Sequence, residues 1–186
     1  LSIDKRQTIP NKCLTNQKPI LAIYGSPRKG GRCDKALDIV IEGKRVDRLY
    51  IRGLKIKPCC GCLECRKGGI CKIKDDMKGI IPRLISSDII ILSSPVYFKG
   101  LPSHLKAMID RCQVLWERKV TKEKGASGFF ILTCEKKGDF PGCIDVIKAF
   151  FATIKARLVD GIILGDNEPL ENIGKSQFIR RVWQNL

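Results

Sequence analysis

No stretch of this chain is apolar for long enough to cross a bilayer. Its longest apolar runs, DIIILSSPV and GFFILTC, fall far short of the roughly 20 residues a spanning helix needs. Residues 1–19 are polar and charged, without the apolar core of a secretory signal, so a cytoplasmic protein with no membrane association is expected. There thiols stay reduced, and cysteines serve metals or catalysis more often than disulfides. Aromatic residues make up only 6% of the chain, and charges of one sign nowhere form a long run. A nucleic-acid surface built on base stacking is therefore not expected. Acidic residues are also scarce, 19 against 35 Lys and Arg, for a net charge of +16. That balance favours acidic partners and resists self-association, although a solvated basic surface accounts for it equally well. Internal repeats and dividing linkers are absent, and 186 residues suit one well-cored domain.

What the chain does have is a regular alternation. Residues 1–18 read as an extension, ahead of a domain over 19–186. ILAIYG (20–25) and DIIILSSP (88–95) are continuous apolar strands, and VDRLYIRG (46–53) alternates like a strand. ASGFFILTC (126–134) and LVDGIILGD (158–166) make five. Between them CDKALDIVIEGK (33–44) places Ala36, Leu37, Val40 and Ile41 on one helical face. DDMKGIIPRLISS (75–87) starts with carboxylates suited to a helix N-terminus, with Pro82 expected to kink or restart it. LPSHLKAMIDRCQVLW (101–116), PGCIDVIKAFFATIKA (141–156) and SQFIRRVWQNL (176–186) complete the helices. Strand–helix alternation predicts a parallel sheet covered on both faces, a flavodoxin-like doubly wound α/β fold of order 2-1-3-4-5. In that fold ligands sit at the carboxyl ends of the strands beside the switch point.

YGSPRKGGRCDK (24–35) lies where the first strand gives way to the first helix. Its glycines allow a tight turn, and Ser26, Arg28, Lys29 and Arg32 can face an anion at a helix N-terminus. It matches neither G-x-x-x-x-G-K-[ST] nor G-x-G-x-x-G, which disfavours nucleoside triphosphates and the dinucleotide fingerprint. A Gly- and Lys-rich surface turn is the bland alternative.

PCCGCLECRKGGICKIKDDM (58–77) contains five of the ten cysteines. Cys59, Cys62, Cys65 and Cys71 form C-x2-C-x2-C-x5-C, with Cys60 an alternative first ligand. Four-cysteine zinc sites use two C-x2-C knuckles separated by a longer finger. The even, close spacing here is instead that of ferredoxin runs that wrap an iron–sulfur cubane. Zinc, disulfides, or a loop that has lost its metal remain the alternatives. Lys55, Lys57, Arg66, Lys67, Lys72 and Lys74 flank the run. Cys13, Cys33, Cys112, Cys134 and Cys143 show no metal spacing and read as small buried hydrophobes. His104, the single histidine, reads as a solvent-facing helix residue, and Trp116 and Trp183 as packing anchors.

GSPR with its glycines, followed by SSPVYFKGLPSHLKAMIDR (93–111), resembles the NADPH-dependent FMN reductase family. Within it the resemblance is to the iron–sulfur flavoproteins of archaea and anaerobic bacteria, and it covers residues 20–165. It implies that Ser26, Arg28, Arg32, Cys33 and Asp34 surround the phosphate of FMN. It further implies that Pro95, Val96, Tyr97, Phe98 and Gly100 line the flavin ring, with TCEKKGDFPGC (133–143) closing over the other edge. The chain departs from the family at 32–33, where Asn followed by Thr or Ser is usual. Arg32 and Cys33 remove a hydroxyl donor, and the Arg32 guanidinium is the expected charge-assisted replacement.

The cysteine loop, 58–74, resembles the cluster motif of the same proteins, after the second strand and before KDDM. The resemblance implies a [4Fe–4S] cluster on Cys59, Cys62, Cys65 and Cys71, an acidic electron donor such as ferredoxin, and a homodimer or dimer of dimers. The resulting expectation is a flavin-dependent oxidoreductase or electron carrier. Two alternatives stand beside it: an NAD(P)H-dependent FMN or quinone reductase without a cluster, and a basic binding module with no redox turnover.

Overall fold

A computed structural model describes residues 18–118 and 125–184; Cys13 and nearly all of the N-terminal extension lie outside these. Five strands form one sheet: β1 (Ile20–Tyr24), β2 (Asp47–Tyr50), β3 (Ile89–Pro95), β4 (Ala126–Cys134) and β5 (Ala156–Gly165). Every pairing is parallel and the order is β2-β1-β3-β4-β5. The helices are α1 (Arg32–Val40), α2 (Glu64–Gly68), α3 (Met77–Ser86), α4 (Ser103–Arg111) and α5 (Gln113–Glu117). The last three are α6 (Pro141–Thr153), α7 (Glu171–Lys175) and α8 (Gln177–Trp183).

The two-residue period of a strand explains why the apolar runs are continuous. Leu21, Ile23, Ile90, Leu92, Phe130 and Leu132 point to one face, where α3, α4, α5 and α6 cover them. Their neighbours Ala22, Tyr24, Ile89, Ile91, Phe129 and Ile131 point to the other, under α1, α7 and α8. Only residues that tolerate burial on both sides satisfy such a sheet. Right-handed crossovers dictate the distribution of helices. The chain steps from β1 to β2 in one direction and then back across to β3, so α1 falls on the face opposite α3 and α4. That reversal opens a crevice between the carboxyl ends of β1 and β3.

Three local expectations differ from the fold. Helix α3 runs through Pro82 as one element rather than restarting there, because proline removes a single ladder bond while Met77, Ile80 and Leu84 anchor the helix in the core. Segment 101–116 divides at Cys112 into α4 and α5. The C-terminal segment is preceded by a short α7 that covers the core through Ile173.

Candidate flavin site and cysteine pocket

Beyond β1 the chain turns at Gly25, whose amide donates to the carbonyl of Ser93 at 2.8 Å. A Cβ here would lie 2.7 Å from Leu105 Cδ2 and 2.9 Å from that carbonyl, so glycine lets β3 and α4 close on the loop. Gly30, at φ +64°, reverses the chain into α1. Asp34 is buried in the first turn of α1, where it accepts from the Gly30 amide at 2.9 Å and pairs with Arg52 at 3.0 Å. The first intrahelical bond is Lys35 N to Gly31 O at 3.1 Å. The amides ahead of it have no helix acceptor and lie at the positive end of the dipole. Arg28 and Lys29 are exposed beside this end, and neither has a carboxylate partner among the described residues. Free amides at a helix N-terminus beside two cations are suited to receive an anion.

Arg32 and Cys33 differ from the expectation. Arg32 donates to the carbonyl of Gly165 at 2.6 Å and to that of Glu168, and lies 3.6 Å from Asp166. Its guanidinium is fastened to the loop after β5 rather than offered to an anion, because two carbonyls and a carboxylate hold it there. Cys33 is buried, with Sγ 2.9 Å from Thr133 Oγ1, and its carbonyl accepts from Ser93 Oγ at 2.9 Å. Burial pushes its thiol pKa up, so it packs α1 against β3 and β4. His104 is not solvent-facing: its ring bonds the Gly25 backbone and its Nε2 is buried without a partner. Burial pushes the imidazole pKa down.

Past Pro95, Val96 N donates to the Thr133 carbonyl at 2.8 Å. Tyr97 and Gly100 exchange two backbone hydrogen bonds of 2.9 and 2.8 Å. Between them Phe98 and Lys99 have φ values of 49° and 60°, giving a two-residue turn of the I′ kind that usually takes Asn and Gly. Holding two ordinary side chains there costs about 1–3 kcal/mol each. The Cys143 thiol donates to the Lys99 carbonyl at 3.4 Å and braces the turn from α6. The turn projects a fully exposed Phe98 ring beside a half-exposed Tyr97, a pair suited to stack on or edge a flat ring.

The cysteine segment winds through left-handed positions at Gly61, Leu63 and Gly69. Cys59, Cys60, Cys62, Cys65 and Cys71 line one open cavity of about 380 Å³ with Ile73, Arg111 and Val114. That volume lies within the range of ligand pockets. Among the described residues no three donors converge on a single-ion site. A cavity lined by thiols supplies the donor type that an iron–sulfur group takes, one thiolate to each iron. The Glu64 amide, with help from Cys60 and Lys72, lowers the Cys62 pKa, while burial and Glu117 raise that of Cys65.

Beneath the pocket Arg111 and Asp75 form an ion pair at 2.6 Å, their side chains 1% and 3% exposed. Asp75 also accepts from the amides of Lys57 at 3.0 Å and Met77 at 3.1 Å. Burial pushes the Asp75 pKa up, but these bonds and Arg111 outweigh it and hold the carboxyl below its usual value. The Nε of Arg111 is buried without an acceptor. A thiol-rich lining with a spare cationic N–H fits an anionic sulfur-containing group.

At the rim Arg66 pairs with Glu117 and Lys67 with Glu64, each at 3.2 Å. Lys55, Lys57, Lys72 and Lys74 are exposed, and their side-chain ammonium groups have no carboxylate partner among the described residues. Leu63 and Ile70 are exposed beside them. Trp116 is 60% exposed on α5 and is no packing anchor. Trp183 does pack against the core, with Lys44 over its ring.

Neither the ion pairs of Arg52 with Asp34 and Arg111 with Asp75 nor the contact of Thr133 with Cys33 was expected from the sequence. For Arg111 a signal existed: with Leu105 and Met108 it continues the apolar spacing of α4, and a charge at a core position calls for buried partners. Arg52 and Thr133 carried none, since their partners lie far off in sequence.

Residues 19–161 match the family NADPH-dependent FMN reductase. An iron–sulfur flavoprotein of Methanosarcina thermophila is 39% identical over 105 residues, 54% of this chain and 54% of that protein. One from Methanocaldococcus jannaschii is 31% identical over 160 residues, 83% of this chain and 80% of that protein. The chain thus spans about half the length of the first relative and most of the second. A solved NAD(P)H:quinone oxidoreductase from Methanothermobacter marburgensis shares the fold at 12% identity. Its TM-score is 0.63, covering 90% of this chain and 94% of the other. The family match covers most of the chain: the chain belongs to the NADPH-dependent FMN reductase family, among relatives named iron–sulfur flavoproteins.

Proposed function

We propose that this chain is a flavin-dependent oxidoreductase that transfers electrons between a [4Fe–4S] cluster on Cys59, Cys62, Cys65 and Cys71 and FMN held by residues 26–34 and 95–100. The observation that carries the reading is the ring of cysteines around one cavity, closed beneath by a buried ion pair. A cluster passes single electrons and a flavin takes one or two, so the bound pair converts between the two kinds of chemistry. The chain's residues bind and tune. The first-turn amides of α1 with Arg28 receive the phosphate dianion, while Tyr97 and Phe98 flank the ring. Helix α4 touches Gly25 through His104 and the cysteine pocket through Arg111. The seven-residue step between those contacts is about 10 Å of helix rise, which keeps the two sites close.

Reduced ferredoxin is the proposed donor. Lys55, Lys57, Lys72 and Lys74 form a basic rim around the pocket, and Leu63, Ile70 and Trp116 offer apolar contact beside it. A homodimer or dimer of dimers with the flavin near the subunit interface belongs to the same reading, supported by the uncovered Phe98 ring. Iron, acid-labile sulfide and flavin analysis of one anaerobic sample tests it, with about four irons and four sulfides per FMN expected. FMN without iron or sulfide would refute the cluster and favour an NAD(P)H-dependent flavin or quinone reductase.

A further inference from the structure

Helix α4 carries a full charge where its apolar face continues. Leu105, Ala107, Met108 and Arg111 are its buried residues. A guanidinium has five N–H bonds to satisfy and cannot lose its proton, so its burial demands fixed acceptors. Nη1 donates to the Lys57 carbonyl at 2.8 Å and to Asp75 Oδ2 at 2.6 Å. Nη2 reaches the Ile73 carbonyl at 3.2 Å and Asp75 Oδ1 at 3.1 Å. Lys57 and Ile73 stand at the entry and exit of the cysteine segment, so one side chain pins both ends of it.

The Nε–H remains. It is buried and has no acceptor, Arg111 lines the cysteine cavity, and the Cys71 thiol lies within hydrogen-bonding reach of the guanidinium. Buried unpaired donors are rare enough in folded proteins to call for an explanation such as a bound group. A charged donor is the costliest kind to leave unmet. We infer that Arg111 is the positioning residue of the cluster, donating Nε–H to a thiolate or sulfide sulfur beside Cys71 while its other N–H groups close the loop. The inference rests on the cluster assignment proposed above. A fixed cation and an N–H aimed at cluster sulfur stabilise the more negative, reduced state, so Arg111 raises the cluster potential. Lysine does not replace it, having a point charge but no planar fork to hold two carbonyls, a carboxylate and a sulfur together.

The test uses the anaerobic holoprotein with [15N]arginine incorporated. Pulsed EPR of the reduced cluster should show coupling to an arginine nitrogen, lost in Arg111→Lys. A redox titration of Arg111→Lys should move the cluster midpoint to a lower potential and leave that of FMN unchanged. A loaded cluster with no arginine coupling in the wild type, or an unchanged midpoint in the variant, overturns the inference. Iron and sulfide analysis of the same wild-type sample separates the two levels. Absence of a cluster there sinks the cluster assignment and the inference with it, whereas a cluster without the coupling sinks the inference alone. If Arg111→Lys does not load, the wild-type coupling decides.

Discussion

Replacing Asp75 with Asn removes the charge facing Arg111 but keeps the side-chain shape. Both partners are almost fully buried, and breaking a buried pair from one side costs about 3–5 kcal/mol, because the remaining charge is left uncompensated. Asparagine retains one acceptor oxygen, so the lower end, about 3 kcal/mol, is the expected loss. For a chain of this size that lowers Tm by about 6–12 °C and the urea midpoint by about 1 M or more. Urea unfolding of the cluster-free protein measures it without interference from metal loss. The pH dependence carries a second signature. The Asp75 carboxyl is held below its ordinary value of 3.8, so its contribution is complete above that value and is lost as pH falls through the lower folded-state value. Asp75→Asn has no such group to titrate. The gap between the two proteins should stay constant from neutral pH to about pH 5 and close in stronger acid. A gap under about 1 kcal/mol at pH 7, typical of a solvated surface pair, or one that persists unchanged into acid, would falsify the reasoning.

Cys65→Ala should strip iron and sulfide from the anaerobic protein while FMN content stays near that of the wild type, because the two sites lie on different loops; full iron retention removes Cys65 from the ligand set. Arg28→Glu should weaken FMN binding about tenfold or more, the scale of one lost charge-assisted contact, as read by flavin fluorescence titration. Equal affinity puts Arg28 outside the phosphate seat. Reversing Lys72 and Lys74 together should slow reduction by ferredoxin at low ionic strength and leave reduction by a small uncharged reagent intact. A stopped-flow rate indifferent to both charge reversal and salt denies the rim a docking role.

Strand, helix and loop order was legible in the residues because it depends on local periodicity. A segment such as 88–95 can be apolar throughout only if both of its faces are covered, and five such segments separated by helices admit few topologies. The gathering of the cysteines around one cavity was legible for the same reason, since residues within 59–71 are neighbours whatever the rest of the chain does. Spacing could not decide where a side chain points. Arg32 and Arg28 look alike in sequence, yet carbonyls more than 130 residues away capture Arg32 and leave Arg28 beside the helix end. Cys33 and Thr133 meet only when α1 packs across β4, and Trp116 is exposed because α5 turns it outward. The floor of the cysteine pocket was decided by tertiary structure alone. Arg111 finds Lys57, Ile73 and Asp75 through packing of α4, and a buried charge is tolerated only where such distant partners converge.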